Sequence, residues 1–282
     1  MTRCYLIAEL GCNHCGDVNT ALRMVDVCAV AGVDAVKLQI RDVSNPPDEW
    51  SKPYSGPHSY GATYLEHRRA LELSVAEYEM VAIRTRALGM EVGASIWDER
   101  AALSAVDELL DFDWYKIPSA MLTHRELLVN SSSLLDDMSV ILSTGMSTAD
   151  EVDEAVSIVR ADEHPSLTLL HCTSTYPCAN EDVHLEAMRT LQRKYLDCKV
   201  GISGHWRGIQ IDAAAVALGA EVIERHMTLD RTMKGTDHAA SLEPGGLAKW
   251  VRDVRAVEAA MGSPEIQVLP CEESARRKLR VW

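Results

Sequence analysis

The chain has 282 residues, 47% of them hydrophobic and 25% charged, with a formal net charge of −14. That length fits one (β/α)8 barrel of ~250 residues plus a tail, and the composition is that of a globular protein with no sign of disorder. The acidic balance argues against nucleic acid and against an anionic membrane, which both need a basic footprint, but leaves room for a phosphorylated small molecule held by a few buried lysines.

The N-terminal MTRCYLIAELGC reads as a strand and is too short for a secretory segment with its cleavage site. No apolar run reaches the ~18–20 residues of a membrane span. Eight irregularly spaced cysteines then point to a cytoplasmic protein with reduced thiols. Cys12-Asn13-His14-Cys15 is a C-x-x-C, but it follows a strand instead of opening a helix, and no second pair completes a zinc site. A redox or zinc role is therefore the minor reading.

Eight short apolar runs recur: Tyr5–Ala8, Ala35–Leu38, Glu91–Ala94, Trp114–Ile117, Val140–Leu142, Leu167–His171, Lys199–Ile202 and Glu221–Glu224. Helical spacing separates them, clearest over 18–31, 76–89, 99–109, 148–160, 208–218 and 246–261. Asp98 and Thr148 read as N-caps, the latter with Glu151 as a capping box, and Gly32, Gly89 and Gly219 as helix stops. Strands alternating with helices mean a parallel sheet with right-handed crossovers, and eight repeats mean a closed barrel. No G-x-G-x-x-G follows the first strand, which weakens a dinucleotide-binding alternative. The barrel is expected over residues 1–262 and the tail over 263–282.

Between Ile40 and Ser74 the second crossover is unusually long and begins rich in Pro, Ser, Gly, Trp and Tyr. It reads as a lid or partner contact on the active side, or as a surface excursion. YLEHRRALEL within it reads as a short helix. The tail GSPEIQVLPCEESARRKLRVW carries few core signals.

A barrel of this kind places its chemistry at the C-terminal ends of the strands. Those ends carry Glu9, Lys37, Gln39, Ser95, Lys116, Ser119, Ser143, Tyr176, Ser203, His205 and His226. Two lysines and several hydroxyls converging on one mouth suit a small anion with phosphate and carboxylate groups, although any one of them taken alone reads equally as a solvated loop residue. His205 and His226 end successive strands joined by a helix-like segment. Parallel neighbours lie ~4.8 Å apart, so the two imidazoles either share one metal ion, with positions open for water and substrate, or each cap a strand.

These stretches resemble the sialic acid synthase family, the phosphoenolpyruvate-dependent nonulosonate synthases. The matching segments run through the chain: IAELGCNHCGD, DAVKLQ, YKIPSA, ILSTGMST, LLHCTSTYP with EDV, GISGHWRGI, ALGAEVIERHMTLD and KGTDHAASLEP. The tail segment GSPEIQVLPCE resembles the joint between the barrel and an antifreeze-like domain.

The resemblance implies condensation of phosphoenolpyruvate with an open-chain aldose, giving a 2-keto-3-deoxy acid and phosphate. It implies that His205 and His226 bind Mn²⁺ or Mg²⁺ and that Glu9 stands near the metal and the attacking water. Lys37, Lys116, Ser119, Ser143 and Ser203 match the phosphoenolpyruvate site, with Ser95 beside them. Gln39, Tyr176 and Asp237 match positions facing the sugar. A homodimer is implied, in which a partner's antifreeze-like domain supplies an arginine for the N-acyl group. The pattern departs from relatives at Ile96, at Pro118 and at Ala120-Met121, where many carry Gly and an acidic residue. These departures bear on the acceptor, so N-acetylmannosamine, a related or phosphorylated sugar, and a different aldehyde all stay open. A non-catalytic sugar-binding barrel and a metal-dependent aldolase or hydrolase are the competing readings.

Overall fold

The computed structural model describes residues 3–98, 112–134, 138–160 and 166–280. Eight strands, β1 (Tyr5–Glu9), β2 (Ala35–Ile40), β3 (Glu91–Ile96), β4 (Trp114–Ile117), β5 (Ser139–Ser143), β6 (Leu167–His171), β7 (Lys199–Gly204) and β8 (Val222–His226), form a closed barrel in chain order. All pairs are parallel, and β8 closes on β1 with Glu9 opposite His226. The (β/α)8 expectation holds.

Several strands run past the apolar runs that announce them. β2 reaches Ile40, β7 reaches Gly204, and β8 is shifted to Val222–His226 from the expected Glu221–Glu224. The hydrogen-bond ladder does not need apolar side chains at the mouth, because there the inward positions line the site and not the packed core. His226 is thus a strand residue.

Among the described residues the helices are α1 (Val18–Ala31), α2 (Tyr64–Leu71), α3 (Val75–Ala87), α4 (Arg125–Leu134), α5 (Ala149–Arg160), α6 (Leu185–Lys194), α7 (Gln210–Ala217), α8 (Pro244–Met261) and α9 (Glu273–Leu279). Asp17 caps α1 through the backbone amides of Asn19 and Thr20, and Gly32 closes it at φ 81°. Thr148 and Glu151 form the capping box of α5. The expected helix 99–109, with its Asp98 cap, lies outside the described residues. The tail 262–280 is exposed throughout and includes the short helix α9, a feature its sequence pattern did not announce.

Strand alternation sorts the core into two compartments. Outward residues such as Leu6, Val36, Val92, Tyr115 and Ile223 pack under the helices. Inward residues Ile7, Ala35, Trp114, Ile141, Leu170 and Val222 fill the barrel's waist as a separate cluster. Trp114 takes so much of that interior that a Cβ on the facing Gly93 would stand 2.4 Å from its ring. The waist is the floor of the site. Two residues further along each strand, at the next inward position, stand Glu9, Lys37, Lys116, Ser143, Cys172 and Glu224.

Candidate active site

Above that floor lies a cavity of 210 Å³, lined by Lys37, Gln39, Ser95, Lys116, Ser119, Ser143, Tyr176, Ser203, His205 and His226 among others. Of the sequence-predicted residues only Glu9 and Asp237 are missing from this lining, and each is tied to it. Glu9 Oε2 is 2.5 Å from Lys37 Nζ, and its Oε1 accepts from Gln39 Nε2 at 2.8 Å. Asp237 Oδ2 lies 3.9 Å from His226 Nδ1.

Two ammonium groups and two carboxylates share the bottom of the cavity, all buried. Lys116 Nζ is 2.6 Å from Glu224 Oε1, and Lys37 Nζ is 3.5 Å from the same oxygen. Burial alone would raise the Glu224 carboxyl, but Lys116 and Lys37 overcome it and hold the group below the usual carboxylate range. Burial pushes Lys37 down, and Glu224 with Glu9 outweighs it, so the ammonium is favoured. Lys116 is lowered, by burial first and by its neighbour Lys37 as well, against the pull of Glu224.

The hydroxyls complete a ring of donors. Lys37 donates to Ser95 Oγ at 2.5 Å, and Ser203 Oγ donates to Glu224 Oε1 at 3.1 Å. The backbone amide of Gly145 donates to Ser119 Oγ at 3.0 Å. A Cβ at Gly145 would stand 2.5–2.8 Å from the side chains of Ser174, Cys172 and Ser119, so this approach requires glycine. Ser143 Oγ is buried with no hydrogen-bond partner among the described residues, which leaves it free for a ligand.

The His205 and His226 rings are 5.5 Å apart, centroid to centroid. Burial and the neighbouring His226 lower the His205 pKa to about 3, so the ring is neutral. Its Nδ1–H donates to the Thr173 carbonyl at 2.9 Å, which leaves Nε2 as the lone-pair nitrogen. His226 Nδ1 is buried without a hydrogen-bond partner among the described residues. Two imidazoles at the ends of adjacent strands, that of His205 neutral and that of His226 with an unsatisfied nitrogen, suit a divalent cation. So does the charge count: Lys37 and Lys116 are cancelled by Glu9 and Glu224, so a bound dianion would need positive charge from elsewhere. Among the described residues no cluster of three or more His, Cys, Asp or Glu completes a closed metal cage.

A second cavity of 510 Å³ opens outward and shares Gln39, Trp97, Tyr176 and His226 with the inner one. Asp237 lines it. Tyr176, 43% exposed, stacks on His205 with ring centroids 4.0 Å apart and separates the two chambers. The long second crossover contributes too: His58 lines the outer cavity and accepts from the Gly235 amide at 3.2 Å. A larger, mostly apolar cavity of 720 Å³ lies on the flank around Met146, Ala187, Leu191 and Tyr195. It contains none of the sequence-predicted residues and none of the buried charges.

Sequence reasoning missed Glu224, Trp97 and Arg41. Glu224 was legible in principle, standing two residues before His226 on the same strand and therefore inward. Between them Arg225 points the other way. It pairs with Asp212 and donates to the carbonyls of Gly208 at 2.9 Å and Trp206 at 2.8 Å, pinning the turn that follows His205. Ser95 and Ser119 were legible only as strand-end hydroxyls, while Arg41, beyond the end of β2, carried no such signal.

The NeuB family model matches residues 24–266. N-acetylneuraminate-9-phosphate synthase of Homo sapiens is 40% identical over 278 residues, which is 98% of this chain and 76% of that protein. N,N'-diacetyllegionaminic acid synthase of Campylobacter jejuni is 36% identical, covering 93% of this chain and 78% of the relative. The crystal structure of N-acetylneuraminic acid synthetase from Leptospira borgpetersenii, in complex with citrate, superposes with a TM-score of 0.82 at 32% identity, covering 100% of this chain and 94% of that one.

Proposed function

Because the chain belongs to the NeuB family, the sialic acid synthases, we propose that it condenses phosphoenolpyruvate with the aldehyde of an open-chain aldose to give a nonulosonic 2-keto-3-deoxy acid and inorganic phosphate. The observation that carries this reading is the juxtaposition of the Lys37–Glu9 and Lys116–Glu224 pairs with the His205–His226 pair, all at one barrel mouth.

In this reading phosphoenolpyruvate lies in the inner cavity. Its carboxylate and phosphate take hydrogen bonds from Lys37, Lys116 and the hydroxyls of Ser95, Ser119, Ser143 and Ser203. His205 and His226 hold a divalent cation, Mn²⁺ or Mg²⁺, which when bound would polarise the aldehyde oxygen. The C3 of phosphoenolpyruvate forms a bond to the aldehyde carbon, and the aldehyde oxygen becomes a hydroxyl. Water adds its oxygen to C2, the bond between C2 and the phosphate-ester oxygen then breaks, and phosphate leaves with the second proton of that water as C2 becomes the ketone. The first proton lost by the water balances the one gained by the aldehyde oxygen. Glu9, salt-bridged to Lys37, is the base for that water. Gln39, Tyr176 and Asp237 orient the sugar between the chambers.

The acceptor belongs to the N-acetylmannosamine class, as the free sugar or its 6-phosphate. The legionaminic-type relative keeps the diacetamido sugars in the panel. The reading includes a soluble cytoplasmic homodimer, with residues 1–262 as the catalytic barrel and 263–282 leading out of it. Among the described residues no helix is long and apolar enough to cross a membrane. The test is phosphate release from phosphoenolpyruvate with Mn²⁺ across N-acetylmannosamine, its 6-phosphate, mannose 6-phosphate and the diacetamido sugar. Release with one acceptor and its loss on chelation support the reading; silence with all of them counts against it.

A further inference from the structure

The synthase chemistry gives the Cys12-Asn13-His14-Cys15 motif no part. The motif follows β1 as a tight turn, in which the Cys15 amide donates to the Cys12 carbonyl at 3.0 Å. A turn closed in this way keeps its end Cα atoms within ~7 Å, and a disulfide spans ~4.4–6.8 Å between Cα atoms. Both cysteines are free thiols and partly exposed.

The turn is wedged between the barrel mouth and the second crossover. At one end Gly11 is pressed against the reacting residues: a Cβ there would stand 3.1 Å from Glu9 Oε1, 3.3 Å from Gln39 Nε2 and 3.4 Å from His226 Nδ1. At the other, a Cβ on Gly16 would stand 2.2 Å from the Ala70 carbonyl oxygen of α2. A change in the turn is therefore felt on both sides.

The two sulfurs face different groups. Cys12 lines the outer cavity, with its Sγ 3.5 Å from Arg68 Nη1. Cys15 Sγ lies 3.3 Å from the Tyr60 hydroxyl and 3.7 Å from His238 Nε2. The Tyr60 hydroxyl donates to the Lys234 carbonyl, and the Lys234 ammonium lies 4.5 Å from the centroid of the Tyr60 ring. Together with the bond from the Gly235 amide to His58, these contacts clasp the second crossover to the segment that carries Asp237. Cys15 sits in the clasp.

We propose that Cys12 and Cys15 form a thiol–disulfide switch: reduced, Cys15 helps hold the second crossover against the outer cavity, and oxidation to a disulfide withdraws it, loosens the clasp and slows condensation. The effect on condensation rests on the synthase reading; the disulfide and the loosened clasp do not. The oxidant is a peroxide. One thiol takes an oxygen from hydrogen peroxide, giving a sulfenic acid and a first water; the other sulfur displaces that oxygen as a second water, and the S–S bond forms. Burial raises the Cys12 thiol against the pull of Arg41 and Arg68. The pair thus suits a switch that stays reduced until oxidant accumulates, and not a fast thiol catalyst.

The experiment treats the full chain and Cys15→Ser with hydrogen peroxide, with and without later dithiothreitol. Fragment-ion mass spectrometry locates disulfides, hydrogen exchange follows residues 54–62 and 229–238, and phosphate release gives kcat/KM for the acceptor. The expected result is a Cys12–Cys15 disulfide, faster exchange in both segments, and a fall in kcat/KM of about 10–100-fold, the scale of an ångström-sized misplacement at a reacting site. Dithiothreitol restores all three, and Cys15→Ser keeps its activity at the same dose. Absence of the disulfide, a disulfide with unchanged exchange, or equal inactivation of Cys15→Ser overturns the switch. A reduced chain without turnover, in which the disulfide still forms and exchange still quickens, refutes the synthase reading and keeps the switch.

Discussion

Lys116 of β4 and Glu224 of β8 meet at 2.6 Å across the full width of the barrel, from strands four apart in an eight-strand ring. The pair sits directly on the apolar waist, where Trp114 and Val222 are the inward residues two positions earlier on the same strands. It marks where hydrocarbon packing ends and chemistry begins. It also holds an ammonium ready for an incoming anion at a site whose protein charges otherwise cancel.

Lys116→Ala is expected to impair use of phosphoenolpyruvate more than use of the sugar. Loss of one charge-assisted contact should raise KM for phosphoenolpyruvate by about 10-fold or more. Steady-state titration of each substrate checks this, and an unchanged dependence on phosphoenolpyruvate would remove Lys116 from its site.

His205→Ala is expected to leave the fold in place while reducing condensation by more than about 100-fold, since even partners one shell out from a metal are worth 10–100-fold. Calorimetric titration of Mn²⁺ should show weakened binding in parallel. Full activity with a chelator present, in the unmodified protein, would discard the metal role for both histidines.

Arg225→Leu should cost roughly 3–5 kcal/mol of stability, because it strands the buried carboxylate of Asp212 and releases the Trp206 and Gly208 carbonyls. Urea unfolding measures the loss. A cost of only a few tenths would mean that the turn after His205 is held by other contacts.

Stability should fall as the pH drops from 6.5 towards 4, in part through His14. This ring is 1% exposed, and burial lowers its pKa to about 4. The folded state thus takes up its proton later than the unfolded chain, so the contribution is complete above pH 6.5 and lost below it. The amount is roughly 3 kcal/mol for a shift of this size. Unfolding curves at pH 7 and pH 5 for the unmodified chain and for His14→Gln should show a flatter pH dependence in the variant; parallel slopes would assign the acid sensitivity elsewhere.

The barrel was legible because each strand is a short apolar run and each connection has helical spacing, so alternation alone dictated the topology. The site was legible in outline because polar residues follow those runs at the strand ends: Lys37, Ser95, Lys116, Ser143, Ser203, His205 and His226 all line one cavity. Glu224 escaped notice because it sits within an apolar stretch whose end was placed two residues too early. Arg41 escaped because its place beside Trp97 and Glu72 is set by tertiary packing that no local pattern encodes.

The most direct measurement supplies phosphoenolpyruvate labelled with ¹³C at C3, together with Mn²⁺ and the accepted aldose, and follows the label by NMR while phosphate is assayed. The account predicts that the label moves into the methylene carbon of a 2-keto-3-deoxy acid, one per phosphate released. Label appearing in the methyl group of pyruvate would mean hydrolysis without carbon–carbon bond formation, and would contradict the synthase assignment.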